Sequence, residues 1–158
     1  MGEKLCDPNE WAEAPLLHDL AAVHARIPQR HEMGLLHGIL HEDLEQRLVI
    51  GFHQSSDSDF WVRGHVPGRP LMPGVVMVEA AAQLCAYATA HFVEMEEGRI
   101  FGFGGLDNTR FRGQVPPGKK LILAARVARL RKRMAMFHTQ AFVDGALVYE
   151  GDILGVSI

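Results

Sequence analysis

The strongest signal in the chain is a long apolar run from Val75 to Val93, interrupted by Glu79, Gln83 and His91, within a segment that reads as helix from Val75 to about Glu96. It is rich in alanine, follows Pro73 and Gly74, and reaches Gly98, a residue suited to a left-handed C-cap. The pattern predicts one helix, apolar on nearly every side, and such a helix must be wrapped by other structure. The isolated polar groups would be costly in lipid, so a buried helix fits better than a membrane span.

Shorter patterns surround it. Residues 9 to 26 predict an N-terminal helix, with Asn9 as a cap or Pro15 as a restart, closed by Pro28. Leu35 to Leu40 and Arg47 to Gln54 predict two strands about the polar turn His41 to Gln46, and Phe60 to Val62 a brief third. Gly64 to Gly74 holds three prolines and three glycines and is predicted to be irregular. Beyond the long helix, Ile100 to Phe103, Thr109 to Gln114, Lys120 to Arg131, Met134 to Val143 and Ala146 to Ile158 are rich in Val, Ile, Leu and Phe and read as strands, and Asp144-Gly145 marks a tight hairpin between the last two. The glycines from Gly102 to Gly105 suggest a bulge. One long helix followed by an antiparallel meander predicts an α+β fold with a curled antiparallel sheet wrapped around one long central helix.

Composition narrows the class. The 158 residues are 47% hydrophobic and 22% charged, ordinary for one folded domain. A net charge of −3 offers no support for nucleic-acid binding. The charge is uneven, however: between Arg99 and Arg133 the basic groups face only Asp107. That stripe suits either an acidic partner or a solvated strand face. Cys6 and Cys85 are too few for a disulfide framework, and a reducing cytosol is the simplest home. The residues at the N-terminus show no signal-peptide pattern.

The candidate chemistry gathers between Gly64 and Gln83. His65 lies in a loop pinned by Gly64, Pro67 and Gly68, which can hold an imidazole in one orientation as a base requires. Glu79, on the second turn of the apolar helix, is a candidate proton donor, and Gln83 four residues on shares its face. Backbone N–H groups of Gly74 and Val75 at the helix start could polarise a carbonyl. Structural hydrogen bonding is the plainer alternative for both His65 and Glu79. His37 and His41 lack a third ligand at metal-binding spacing, and Cys85 has no neighbouring cation to activate it.

The segment GHVPGRPLMPGVVMVEAAAQ, Gly64 to Gln83, closely resembles the signature of the hotdog-fold β-hydroxyacyl-[acyl-carrier-protein] dehydratases. FGGLDNTRFRGQVPPGKKL, Phe103 to Leu121, resembles that family's second characteristic stretch, and VDGALVYEGDILGVSI its closing hairpin. The resemblance runs from about Ile27, which divides the chain into an N-terminal extension, 1–26, and a single hotdog domain, 27–158.

The resemblance implies an active site built across a homodimer, with a trimer of dimers as a further family expectation. His65 would be the general base and Glu79 of the other chain the general acid, converting a (3R)-hydroxyacyl thioester into a trans-2-enoyl thioester and water. Gly74, Val75, Gln83 and Phe103 would meet the substrate. Arg110, Arg112, Lys119 and Lys120 would dock an acidic acyl carrier protein bearing a phosphopantetheine-linked acyl chain. No metal or other cofactor is implied, and no nucleic acid or membrane partner. Phe60, Trp61, Phe101 and Phe103 suit an acyl tunnel or core packing equally.

The chain departs from the family pattern in IPQRHEMGLLHG, where Gln29, His31, Glu32, His37 and Gly38 replace the usual His, Tyr, Pro, Asp and Arg, and at Val66, where Phe is usual. A coenzyme A hydratase, a thioesterase and a non-catalytic acyl-binding paralogue share the fold as alternatives.

Overall fold

The computed structural model describes residues 2–158. Six strands form a single antiparallel sheet: β1 (Gly38–Asp43), β2 (Leu48–Gln54), β3 (Phe101–Phe111), β4 (Lys120–Arg131), β5 (Met134–Val143) and β6 (Ala146–Ser157). Their order is β1-β2-β4-β5-β6-β3, so β3 occupies an edge although it precedes β4 in the chain. Helix α3 (Gly74–Phe92) packs against the sheet, and the hotdog architecture follows.

The long helix ends earlier than its apolar pattern suggests. Val93 is extended at φ −128°, and Gly98 adopts its left-handed φ of 80° in the following loop rather than at the helix end. Glu94, Glu96 and Glu97 would otherwise place negative charge at the negative end of the helix dipole. At 19 residues, α3 still spans about 28 Å. By length and hydropathy it could cross a membrane, yet more than half of its most apolar window is buried.

Three other expectations change. The N-terminal helix splits into α1 (Pro8–Trp11) and α2 (Leu20–His24), because Pro15 interrupts the run and Asp7 and Asp19 each cap a short turn through their carboxylates. Phe60 to Val62 forms turns instead of a strand, with Val62 N–H donating to Asp59 O at 3.0 Å. The two strands expected around residues 100–114 are one strand, bulged between Phe103 and Gly105 and again between Asp107 and Arg110. Asn108 absorbs the second irregularity at φ 51°. Met134–Val143 matches its predicted bounds, and Asp144 and Gly145 both take the positive φ of a tight hairpin turn.

Both faces of the central strands are covered. The main core lies between sheet and α3 and includes Leu84, Tyr87, Leu123 and Phe137. A second cluster on the opposite face gathers Ile50, Ile122 and Phe142 beneath Leu5, Cys6 and Trp11. Backbone and side-chain bonds fasten the segment there: Leu5 N–H donates to Gln140 Oε1 at 2.7 Å, and Lys120 Nζ to Ala12 O at 2.9 Å. Arg26 Nη1 and His91 Nε2 flank Glu42 Oε1 at 3.8 and 3.0 Å, tying α2's neighbour to the far end of α3. This two-sided cover explains why β4 is buried almost continuously from Leu121 to Ala125 instead of alternating.

Candidate active site

The irregular segment from Gly64 to Gly74 is held at several points. His65 N–H donates to Trp61 O at 2.8 Å, and Arg69 N–H to Val66 O at 2.9 Å. Arg69 also reaches Gln114 Oε1 at 3.1 Å, while Met72 N–H bonds Val115 O at 2.8 Å. Val66 carries φ 56°, a left-handed conformation that a β-branched residue rarely adopts. The strain sits directly beside the candidate base.

His65 Nδ1 lies 2.7 Å from Leu71 O. Only an Nδ1–H can bond a carbonyl, so in the neutral ring this contact selects the tautomer whose Nε2 keeps its lone pair, and the side chain is exposed. Immediately downstream, Pro73 enters α3 with no N–H to waste, and its carbonyl accepts from Val76 and Met77. The N–H groups of Gly74 and Val75 open the helix without an intrahelical acceptor. A β-carbon at Gly74 would stand 2.9 Å from the Phe111 ring, so glycine lets the edge strand approach the helix start. Val75 is 73% exposed beside it.

Glu79 is half-buried, and Gln83 Nε2 donates to its Oε1 at 2.9 Å. Gln83 is itself saturated: its other amide hydrogen meets Met33 O at 2.6 Å, and its oxygen accepts from Leu35 and Leu36 N–H at 2.9 and 3.2 Å. It orients the carboxyl and braces the preceding loop at once. Glu79 lines a cavity of about 50 Å³ together with Gln29, Phe101 and Phe103. His65 does not line that cavity.

In the sequence Gln29 stands out only as a departure from the family pattern. In the fold its Oε1 is buried with no donor among the described residues, and the residue lines the same cavity as Glu79. Its neighbour Arg30 fixes the turn by donating to the carbonyls of His24, Ile27 and Gln29. Nothing in local periodicity could have shown this, because the placement depends on the loop folding back over α3. Phe101 and Phe103 line that small cavity, and Phe101 also packs on Phe137, whereas Trp61 is 3% exposed in the core and Phe60 is exposed.

The basic residues are mostly engaged. Arg112 pairs with Glu150, Lys119 Nζ lies 2.6 Å from Asp144, and Lys120 bonds Ala12 O. Arg110 is exposed, and its guanidinium donates to the Thr109 carbonyl at 2.8 Å. Lys119 and Lys120 line a groove with Asp144, on a different part of the surface from the Arg112–Glu150 pair. Among the described residues no three His, Cys, Asp or Glu side chains form a metal-holding group. Cys85 is fully buried, and burial pushes its thiol well above the ordinary range.

Comparison with known proteins places these features. Residues 27–152 match the family described as FabA-like domain. The 3-hydroxyacyl-[acyl-carrier-protein] dehydratase FabZ of Moorella thermoacetica is 37% identical over 136 residues, covering 86% of this chain and 94% of that protein. The protein of the same name from a Geobacillus species is 38% identical over 136 residues, covering 86% and 92%. Among solved structures, the dehydratase heterocomplex ApeI:P from Xenorhabdus doucetiae superposes with a TM-score of 0.71 at 13% identity, over 86% of this chain and 90% of that one. That likeness shows the shared hotdog fold, and the family match together with the two FabZ relatives shows that this chain belongs to the FabA-like family.

Proposed function

We propose that this chain is a 3-hydroxyacyl-[acyl-carrier-protein] dehydratase of fatty-acid or related acyl synthesis, working as a homodimer with residues 27–158 as its catalytic unit. The observation that carries the reading is the fixed tautomer of His65, which leaves Nε2 ready to accept a proton. Support comes from the FabZ relatives and from Glu79, whose carboxyl is oriented by Gln83 toward a small cavity.

In the proposed reaction His65 Nε2 takes the proton from C2 of the thioester. The freed electron pair forms the C2–C3 double bond as the C3–O bond breaks. The partner subunit's Glu79 gives its proton to the departing 3-hydroxyl, which leaves as water. The first N–H groups of α3, at Gly74 and Val75, stabilise charge on the thioester carbonyl. Gln29 Oε1 accepts the hydrogen of the 3-hydroxyl, presenting its lone pairs to the acid. Phe103 lines the acyl path, and Gln83 serves the substrate by holding Glu79.

Dimerisation uses the free edge of the sheet. Phe103, Leu106 and Phe111 on β3 are exposed there, an apolar row that a second copy would cover. Arg110 on the same strand and Arg112 just beyond it offer positive charge to an acidic carrier, and Lys119 and Lys120 offer a second basic site elsewhere on the surface.

Reversible hydration of a short enoyl thioester, followed by loss of its conjugated ultraviolet band, tests the reading. Turnover falling by about a hundredfold in both His65→Ala and Glu79→Gln is the expected result. Release of free thiol from a saturated acyl thioester would place the chain with thioesterases. An intact protein inert toward both carrier-protein and coenzyme A substrates would be an acyl-binding paralogue.

A further inference from the structure

The proposed reaction leaves one buried imidazole without a role. His53, near the end of β2, is 1% exposed and makes two polar contacts, one back to Leu35 and one to the following loop. Its Nδ1 lies 2.8 Å from Leu35 O and its Nε2 3.2 Å from Asp59 Oδ2. The His37 ring stacks on it at 4.6 Å and limits its rotation. Asp59 and His37 are the titratable groups that face it.

Each contact leads to one half of the proposed chemistry. Leu35 and Leu36 supply the N–H groups that hold Gln83 Oε1, and Gln83 holds Glu79. One peptide and one amide therefore separate His53 from the acid. In the other direction, the Asp59 carboxylate also accepts from Ser56 N–H, and its carbonyl accepts from Val62 N–H. Asp59 thus anchors the run of turns that ends at His65, whose own N–H bonds Trp61 O.

We propose that His53 is a positioning residue shared by both arms, fixing the segment that orients Glu79 through Leu35 and the segment that carries His65 through Asp59. The proposal rests on the dehydratase reading and deepens it. If acid and base of one site come from different chains, the Glu79 and His65 steadied by one His53 serve different active sites. Each His53 then links the two sites of the dimer mechanically.

Two conservative variants separate the arms. His53→Asn places its amide nitrogen near the former Nδ1 and keeps the reach to Leu35 O, whereas His53→Gln places it near the former Nε2 and keeps the reach to Asp59. Each is expected to lose about tenfold in kcat for enoyl hydration with KM changed by less than about twofold, because a displaced catalytic group weakens the transition state more than binding. Amide hydrogen exchange gives a readout independent of turnover. Exchange at Leu35 and Leu36 should quicken about tenfold in His53→Gln and stay slow in His53→Asn. Equal protection in the two variants, or kcat within about twofold of the native chain in both, would overturn the proposal.

Should the His53 variants fail to fold, Asp59→Ala carries the kinetic test, since that side chain lies in a loop and is partly exposed. It should lose about fivefold in kcat at unchanged KM; native kcat there would overturn the base arm. A native chain without turnover would defeat the dehydratase reading, while the exchange experiment would still decide whether His53 holds the Leu35 segment.

Discussion

His65 acquires its proposed role from a single bond, because the Leu71 carbonyl occupies Nδ1 and leaves Nε2 for the substrate. Maintaining that bond demands a tight loop, and Val66 takes up the conformational strain at φ 56°. Val66→Gly removes the steric conflict but adds backbone freedom to the unfolded chain. Relief should prevail, raising stability by about 1 kcal/mol in a thermal or urea melt, while turnover falls as the His65 loop loosens. At this scale the sequence was informative about residue type: a loop histidine, a carboxyl on an apolar helix and a glutamine one turn later were visible without coordinates. Gln29, His53 and Asp59 were not, because their roles depend on contacts made by distant loops.

Elements were legible where periodicity and turn chemistry agreed. The β5–β6 hairpin declared itself through Asp144-Gly145, and α3 through its long, alanine-rich apolar run. Boundaries failed where a competing force acted, as where acidic residues stop α3 at Phe92 and Pro15 divides the N-terminal helix. The β1–β2 pair also carries a pH response. Burial lowers the pKa of His37 from its ordinary value of 6.5, the adjoining His53 lowers it further, and Asp59 and the Gly34 backbone oppose the shift. Below that ordinary value the unfolded chain binds a proton that the folded chain resists, so His37 costs stability as the pH falls toward its lowered pKa. Melting temperature should therefore drop between about pH 7 and about pH 5, and His37→Gln should flatten that part of the profile. A slope unchanged by the substitution would assign the effect to other groups.

Across the whole molecule, the sheet is closed on one face by α3 and on the other by the N-terminal segment. The sequence could not show the second closure, since residues 5–12 look like a polar lead with a few apolar residues. Only the continuous burial of β4 hints at it in retrospect. Removing residues 2–12 would uncover Phe142 and Ile50, both fully buried, and strip the Trp11 ring from its stack on His41. Stability should fall by about 2–4 kcal/mol in a denaturant melt. Turnover per folded molecule should stay near that of the full chain, because the proposed site lies at the opposite face and the β3 edge.

The central claim is that base and acid meet only when two copies of the chain come together, and subunit mixing tests it most directly. His65→Ala and Glu79→Gln chains, each nearly inactive alone, would be unfolded together, refolded and assayed for enoyl hydration. Random pairing places half of the chains in mixed dimers with one native site each, so activity should recover to about a quarter of the native level. A mixture no more active than the sum of its two components, with dimers intact, would contradict a site shared between chains.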